Sequence, residues 1–383
     1  MLQKYQKEQE NTKLMLLPRN IIKVFLTLGL LLTSHTEVKA GLYGFHQYNP
    51  YTKEERILDL KEVPLEIQNY RAYMRENLLM LIRYAKEKNP DFKIITHEGQ
   101  DLITKSLWEY DLEGYNRARV QENAEDDSFL FHSNYREQEP QRYTPAHEYL
   151  HLIDAIAINN LYCKNGHESK VTQNHNLGLI TIEECPSQTA IDEMQISAMI
   201  NKKIAYGFTD ANDAFNSTKN HNSINDSSKN IFQISDAQNI LILLDDSKYS
   251  NKEHMVDELL KTNYDIIIIP PLFQHSIRFS DDDIRKLQFK KNGSKRLLIA
   301  AMNVSEASPS DYFWLKDWKV GLPEWLKRKS FTSKDNVITQ FWHPEWKKII
   351  SNYFKDIMNE GFDGIFFTGV ENYQYFEQQN PLE

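Results

Sequence analysis

The chain has 383 residues, of which 40% are hydrophobic and 12% aromatic, so it can bury one large core or two smaller ones. With this composition, we expect a folded chain and not a disordered one. The formal net charge is -9, and the sequence has neither a basic stripe nor an arginine-rich run, which argues against nucleic acid or an anionic membrane as a partner.

Residues 1–40 have the pattern of a secretory signal peptide. Basic residues precede the apolar run VFLTLGLLL at 24–32, and TSHTEVKA then places Val38 and Ala40 as the small residues of a cleavage site. The apolar run is too short to span a bilayer. We therefore expect cleavage after Ala40 and a secreted or periplasmic protein that is free of the membrane, with an uncleaved interfacial anchor as the alternative.

A helix is predicted from about residue 70 to residue 88, and short apolar segments follow it. These segments are FKIIT (92–96), SFLF (128–131), AIAINNLY (155–162), ILILL (240–244), DIIIIP (265–270), RLLIAA (296–301), VITQFW (337–342) and GIFFT (364–368), with GLITI (177–181) as a ninth candidate. Continuous hydrophobicity indicates strands that are covered on both faces, as in a parallel sheet. The pattern predicts an α/β fold, a single-domain (β/α)8 TIM barrel over residues 41–383, with an open doubly wound sheet as the alternative.

Residues 147–151 read HEYLH, which matches the H-E-x-x-H pattern of zinc peptidases. On a helix, His147 and His151 lie one turn apart on one face, where both imidazoles could bind zinc while Glu148 polarised a bound water. A third ligand would come from Asp154, His167, His175, Glu183 or Glu184. The alternative is an ordinary amphipathic helix that turns Leu150 toward the sheet and the His pair outward. We expect that alternative, with no resident metal and no cofactor.

Cys163 and Cys185 are the only cysteines in the sequence. Export to an oxidising compartment would permit a disulfide between them. Two unpaired buried thiols are the alternative, and neither state requires a catalytic role.

The stretch at 211–230 is rich in Asn, Ser, Asp and Lys. This composition predicts a solvated linker or long loop. Such a segment either divides two domains or joins two halves of one barrel.

Ionisable and aromatic side chains follow the last predicted strands. Barrel enzymes keep their chemistry at the carboxyl ends of the strands. Aromatic faces beside carboxyl groups suit sugars, because sugar C–H faces stack on rings while hydroxyls form hydrogen bonds, although the same mixture also occurs on ordinary protein surfaces. The candidates at these positions are Glu306, Asp311, His343 and Glu371, with Trp314, Trp342, Tyr373 and Tyr375 as ring faces.

Three segments of the carboxyl-terminal half follow one another in an order that is typical of a known group of barrels. They are RLLIAAMNVSEASPSDYFW (296–314), VITQFWHPEWKKIISNYF (337–354) and GFDGIFFTGVENYQYFE (361–377). The sequence resembles glycoside hydrolase family 114, the endo-α-1,4-polygalactosaminidase-like TIM barrels, and the likeness extends to YRAYMREN (70–77) and DFKIITHEG (91–99). In simpler relatives those two segments follow the GFDG strand. The chain therefore resembles a circularly permuted barrel in which residues 211–230 join the usual last strand to the usual first.

The resemblance implies endo-hydrolysis of an α-1,4-linked amino-sugar polysaccharide, and it suggests two catalytic residues. Glu306 falls on the first glutamate of the family's G-E-A-E motif, and Glu371 falls on an aspartate that follows the family's G-F-D-G strand. Cleavage of a glycosidic bond needs two carboxyl groups, one protonated and one ionised. The expected partner is a polysaccharide, whose further contacts at the strand ends would be Trp314, Tyr373, His343, Thr368, Glu98 and Asp127.

Several acids of the family's motifs are substituted in this chain. Thr368 and His343 stand where the family carries aspartates, and Asp311 replaces an arginine. A threonine hydroxyl can take neither carboxyl role at neutral pH. A catalytically degenerate barrel that binds carbohydrate without cleaving it is therefore the second hypothesis, and a zinc metallopeptidase that uses HEYLH is the third.

Overall fold

The computed structural model describes residues 68–106, 109, 143–164, 177–211, 214–216 and 227–379, together with two strands at Phe45–Asn49 and Glu54–Leu58. Those two strands pair antiparallel in a small unit of their own, and Gln68–Pro381 belong to the larger compact unit. The expected signal peptide at 1–40, the SFLF segment and Asp127 lie outside the described residues.

Eight parallel strands form the central sheet of the larger unit. They are β1 (Lys93–His97), β2 (Ala155–Asn159), β3 (Gly178–Glu184), β4 (Ile204–Phe208), β5 (Ile240–Ile242), β6 (Ile266–Ile269), β7 (Leu297–Asn303) and β8 (Gly364–Thr368). The hydrogen-bonded order runs β4-β3-β2-β1-β8-β7-β6-β5, so the last strand along the chain pairs with the first. Every pair is parallel, and the sheet curls into a nearly closed barrel. The predicted α/β class and a TIM-like architecture are thereby confirmed.

Seven α-helices lie in the described residues. They are α1 (Tyr70–Lys88), α2 (His147–Leu152), α3 (Gln188–Ile200), α4 (Lys252–Leu260), α5 (Asp281–Leu287), α6 (Pro344–Glu360) and α7 (Tyr373–Glu377). Helix α1 begins where the Asn69 side chain accepts the N–H of Ala72. Helix α6 begins with a proline and ends at Gly361, whose left-handed backbone (φ 89°) stops the helix. None of these described helices is both long enough and apolar enough to cross a membrane.

Short antiparallel strands lie outside the barrel sheet. They are Thr104–Ser106 with Tyr143–Pro145, Leu272–Phe273 with Ile277–Arg278, and a three-stranded sheet of Glu306–Ala307, Val337–Thr339 and Leu326–Lys329. The prediction that VITQFW forms a barrel strand is therefore wrong, because Val337–Thr339 is the central strand of the three-stranded sheet. Its residues are as deeply buried as those of a barrel strand, so composition alone does not separate the two.

The other apolar segments give a mixed result. FKIIT, AIAINNLY, ILILL, DIIIIP, RLLIAA and GIFFT contain barrel strands as predicted, and the ninth candidate GLITI is β3. Strand β4, with the sequence IAYGF, is not among the predicted strands. The glycine of this strand, Gly207, lets helix α3 pack closely, because a Cβ there would lie 2.8 Å from Met194 Cε and 2.9 Å from Ile191 Cγ2.

The edge strands β4 and β5 face each other across a seam in the barrel. The carbonyl of Phe215 accepts the N–H groups of Leu244 and Asp245 at 2.8 and 2.9 Å, and the Tyr206 hydroxyl donates to the carbonyl of Ala214. The rings of Tyr206 and Phe215 stack with centroids 5.8 Å apart. The strands before and after the predicted loop at 211–230, β4 and β5, belong to the same sheet. The loop's described residues 214–216 are packed against the seam rather than solvated.

The structure pairs Cys163 with Cys185 in a disulfide, which settles the alternatives left open by the sequence. These cysteines follow β2 and β3, so the bond joins two loops at the carboxyl end of the barrel. The Glu183 carboxylate supports the same loops, because it accepts the N–H groups of Tyr162 and Cys163 at 3.0 and 2.9 Å.

Replacing both cysteines by serine is expected to lower the free energy of unfolding by about 2–4 kcal/mol. The disulfide restricts the conformations of the unfolded chain, so its removal raises the entropy gained on unfolding. Urea denaturation with and without a reducing agent measures the effect. The wild-type protein under reducing conditions should unfold at the midpoint of the double variant. Equal midpoints for the oxidised wild type and the variant would contradict the prediction.

Candidate functional site

Three glutamates lie at the carboxyl ends of three neighbouring strands, which form one side of the barrel mouth. Glu98 follows β1 directly, while Glu371 and Glu306 lie three residues after β8 and β7. The strands are adjacent because β7 pairs with β8, with Asn303 opposite Thr368, and β8 pairs with β1. The structure thus places three of the predicted site residues at one edge of the sheet.

The Glu306 carboxylate accepts hydrogen bonds from four side chains. Ser330 Oγ and Asn372 Nδ2 donate to Oε1 at 2.8 and 3.1 Å. Asn336 Nδ2 and Asn303 Nδ2 donate to Oε2 at 3.0 and 3.3 Å. Only 7% of the residue is exposed. Since two carboxylate oxygens offer about four lone-pair sites, these donors occupy the acceptor capacity of an ionised carboxylate.

The backbone around Glu306 is held by the loop that follows β8. Asn303 Oδ1 accepts the N–H groups of Ser305 and Glu306 at 3.0 and 2.9 Å. Ser305 Oγ donates to the carbonyl of Gly369 at 2.6 Å and accepts from Asn372 at 2.8 Å. Gly369 is left-handed (φ 71°), and a Cβ there would lie 2.4 Å from Asn303 Oδ1, so glycine allows the two loops to meet.

Glu371 lies in an environment that favours a protonated carboxyl group. Its Oε2 atom is buried and has no hydrogen-bond partner within the described part of the chain. Burial raises the pKa of the Glu371 carboxyl, its backbone N–H and His97 oppose this, and the negative charge of Glu306 raises it further. Glu371 and Glu306 therefore sit in contrasting environments, the arrangement that separates the acid and base roles of a carboxyl pair.

Glu98 occupies a strained turn next to these two residues. Its backbone is left-handed (φ 59°), as is that of Gly99 (φ 74°), so the chain turns sharply where β1 ends. Glu98 Oε1 accepts the N–H of Asn159 at 2.9 Å, and Asn159 Oδ1 lies 3.1 Å from His97 Nε2. Burial raises the pKa of Glu98, His97 and the Asn159 N–H lower it, and the charge of Glu371 raises it again, with a net upward shift.

Thr368 and His343, which stand where the family that the sequence resembles carries aspartates, lie in two different local environments. Thr368 ends β8 at the mouth, and its carbonyl accepts the N–H of Val304 at 3.0 Å. His343 caps helix α6, because its Nδ1 accepts the N–H of Glu345 at 3.3 Å, and its ring stacks on Trp325 with centroids 6.5 Å apart. The described contacts of His343 are therefore those of a helix cap.

Two of the four predicted ring faces, those of Tyr373 and Trp314, are in contact with neighbouring side chains. Tyr373 is fully buried, with its hydroxyl 3.4 Å from Asp101 and the Arg71 guanidinium 5.5 Å from its ring centroid. It has no exposed face on which a sugar could stack. Trp314 is partly buried and packs edge-on against Trp318 at 5.5 Å.

A histidine and two aspartates form a second charged group after β5, β6 and β7. His275 Nδ1 lies 3.2 Å from Asp311 Oδ1, and Asp311 Oδ2 accepts the N–H of Ser308 at 2.7 Å. The hydrogen bond to Asp311 raises the pKa of His275, although burial opposes it. The Asp246 carboxylate accepts the N–H of Gln274 at 2.7 Å and adds negative charge near the imidazole.

The HEYLH residues lie on an exposed helix surface. His147 and His151 are exposed, and His151 Nδ1 lies 2.6 Å from the His147 carbonyl oxygen. Arg83 donates to both oxygens of Glu148 at 2.7 and 2.8 Å, which occupies the proposed general base. Leu150 is buried, as the amphipathic-helix alternative predicted. Among the described residues, no group of three or more metal-binding side chains is arranged to hold an ion.

A cleft of about 680 Å³ lies at the opposite end of the barrel. Its lining includes Lys93 and Leu297, which begin β1 and β7, and Asp363, which precedes β8. Because chemistry in β/α barrels is found at the carboxyl ends of the strands, this cleft is not the candidate site.

The sequence did not single out the four donors to Glu306. Asn303 and Asn372 lie in the quoted motifs at strand ends, so their position was a usable signal. Ser330 and Asn336 lie in a polar turn that precedes the predicted strand VITQFW instead of following a strand, and no sequence pattern connected them with Glu306.

Several proteins from other organisms are similar to parts of this chain, and their descriptions name no activity. MJ1477 of Methanocaldococcus jannaschii, an uncharacterized protein, is 29% identical over 163 residues, 42% of this chain and 45% of the relative. An uncharacterized protein of Thermotoga maritima is 27% identical over 84 residues, 22% and 26% of the two chains. One from Deinococcus radiodurans is 32% identical over 79 residues, 21% and 26%. No protein-family model matches, and the chain spans less than half the length of each of these relatives.

Proposed function

We propose that the protein is a glycoside hydrolase that cleaves an amino-sugar polysaccharide internally, at α-1,4 linkages. The observation that carries this proposal is the group of three carboxyl groups on adjacent strands, in which burial and the charge of Glu306 raise the pKa of Glu371. Glycoside cleavage requires a protonated and an ionised carboxyl group at one site. The resemblance of the surrounding motifs to glycoside hydrolase family 114 supports the same substrate class.

The contrasting environments suggest which carboxyl takes which role. Glu371 has a raised pKa, and its Oε2 atom has no hydrogen-bond partner among the residues that the structure describes, so it is suited to donate a proton to the leaving-group oxygen. Glu306, whose two oxygens accept hydrogen bonds from four side chains, is suited to the carboxylate role. Glu98 adds a third carboxyl group with a raised pKa beside Glu371. The negative charge of the Glu306 carboxylate would attract the ammonium groups of a partly deacetylated amino sugar.

Two wider proposals accompany this function. Export of the protein is supported by the disulfide, since disulfides persist in oxidising compartments. Circular permutation is supported by the position of residues 211–230 between β4 and β5, at the seam of the barrel, where the older chain ends would have been joined.

A barrel that binds the polysaccharide without cleaving it is the second candidate. The four donors to Glu306 favour it, because a substrate hydroxyl or water must displace one of them before the carboxylate can act. Thr368 at the end of β8 favours it too, since it supplies no carboxyl group.

The test is release of reducing ends from a partly de-N-acetylated α-1,4-galactosamine polymer. Replacing Glu306 by glutamine should slow release by at least about tenfold, because one of the two required carboxyl groups is lost. Equal rates for the two proteins would end the hydrolase proposal. Binding by both proteins without turnover by either would establish the second candidate instead.

A further inference from the structure

A seven-residue turn at 330–336, here called the hairpin tip, lies directly against Glu306. It joins strand Leu326–Lys329 to strand Val337–Thr339. The N–H of Ser330 donates to the carbonyl of Asn336 at 2.9 Å, which closes the turn. Both residues also donate side-chain hydrogen bonds to Glu306. The hairpin tip is therefore fixed in position beside the candidate site.

The hairpin tip exposes an aromatic ring next to these contacts. Phe331 follows Ser330 directly and is 63% exposed. Its centroid lies 6.0 Å from that of Tyr375, at an interplanar angle of 62°. Tyr375 is held on α7, three residues after Asn372, which also donates to Glu306. Both rings thus belong to segments that contact the Glu306 carboxylate.

A guanidinium group lies behind the two rings. Arg328 Cζ is 3.8 Å from the Phe331 centroid and 5.4 Å from the Tyr375 centroid, and Arg328 Nε donates to the carbonyl of Lys329 at 3.1 Å. The cation covers part of the Phe331 ring, while the exposed fraction leaves the remainder open to solvent. Lys329 and Lys334 add positive charge on the same hairpin.

The hairpin surface around Phe331 is positively charged, whereas the Glu306 carboxylate beside it is negatively charged. An ammonium group on a sugar would be attracted toward the Glu306 carboxylate, but Arg328 would repel it from the Phe331 ring. A sugar without a charge meets no such repulsion. The N–H groups of a guanidinium that have no other acceptor can donate to hydroxyl or acetamide oxygens. The hairpin surface is therefore suited to a neutral sugar ring.

We propose that Phe331, Tyr375 and Arg328 form a subsite next to the Glu306 carboxyl group. This subsite would bind an uncharged pyranose, such as an N-acetylated or unsubstituted residue. The protein would then recognise a neutral residue beside a cationic one in the same polysaccharide. This subsite rests on the proposed function, because it requires a polysaccharide at the mouth.

Affinity electrophoresis in gels that contain an α-1,4-galactosamine polymer tests the subsite, with partly and fully de-N-acetylated polymers compared. Phe331→Ala should weaken binding to the partly acetylated polymer by about five- to tenfold, the loss of one aromatic contact. It should change binding to the fully deacetylated polymer by less than about twofold, because neutral residues are absent there. Phe331→Trp should retain wild-type binding.

Phe232→Ala is the matched control. Phe232 is 55% exposed and lies 5.7 Å from Lys295 Nζ, but it lines the cleft at the other end of the barrel. If Phe331→Ala and Phe232→Ala bind alike, the subsite is refuted while the proposed function stands. Equal loss on both polymers refutes the preference for a neutral sugar. Failure of the wild-type protein to bind either polymer refutes both the subsite and the proposed function.

Discussion

Replacing Glu371 by glutamine is expected to lower kcat on the partly de-N-acetylated polymer by about 10²- to 10⁴-fold, the usual contribution of a general acid. Glutamine keeps the size of the side chain but has no acidic proton to transfer. Polymer binding should change little, since the loss falls on the transition state. Reducing-end release under saturating polymer measures kcat.

The pH dependence follows from the direction of the pKa shift at Glu371. Burial and the Glu306 charge raise that pKa, so the carboxyl stays protonated to higher pH than an ordinary glutamate. Activity that needs this proton should persist above the usual glutamate range and fall as pH rises through the raised pKa. The variant should lack that limb of the profile.

Glu184→Gln provides the control, because Glu184 ends β3 at the same end of the barrel but its side chain is 42% exposed and pairs with Lys164. It should retain wild-type kcat. A Glu371→Gln protein as active as this control would remove Glu371 from the acid role. A large loss in Glu98→Gln together with that result would transfer the role to Glu98.

Replacing Lys290 by methionine is expected to destabilise the barrel by about 3–5 kcal/mol, because an ionised partner is left buried without its counter-charge. Lys290 Nζ lies 2.5 Å from Asp265 Oδ1, and neither side chain is exposed. The ammonium also donates to the carbonyls of Ser227 and Lys229 at 2.9 Å each. These contacts attach the end of the β4–β5 connection to the start of β6.

Urea denaturation of Lys290→Met measures this loss, with Lys291→Met as control. Lys291 is exposed and adjacent in sequence, so its replacement should change the free energy of unfolding by less than about 0.5 kcal/mol. Adding Asp265→Asn to Lys290→Met should recover part of the stability, since the unpaired charge is removed. Similar midpoints for the two lysine variants would contradict the prediction.

The barrel strands were predictable from the sequence where they consist of long apolar runs. The segments DIIIIP and GIFFT became β6 and β8 because strands covered on both faces need continuous apolar residues. The same rule misassigned Val337–Thr339, which is buried as the central strand of a three-stranded sheet outside the barrel. It also missed β4, where Gly207 is required by the close approach of α3 and not by burial alone.

The site was predictable only in part. Motif positions identified Glu306, Glu371 and Glu98, which the structure places on adjacent strands. The same positions did not reveal that Tyr373 is fully buried or that His343 caps a helix, since both depend on packing between distant segments. Ser330 and Phe331 acquire their place beside Glu306 from the pairing of Glu306–Ala307 with Val337–Thr339, which no local pattern encodes.

The seam between β4 and β5 determines which part of the barrel can fluctuate without disturbing the three glutamates of the candidate site. Strands β7, β8 and β1 lie at the middle of the hydrogen-bonded order, whereas the seam lies between its two ends. Breathing motions that widen the seam would break the contacts of Phe215 before any ladder bond among the three central strands. The strands that carry Glu98, Glu306 and Glu371 are thus each separated from the seam by at least one other strand on either side.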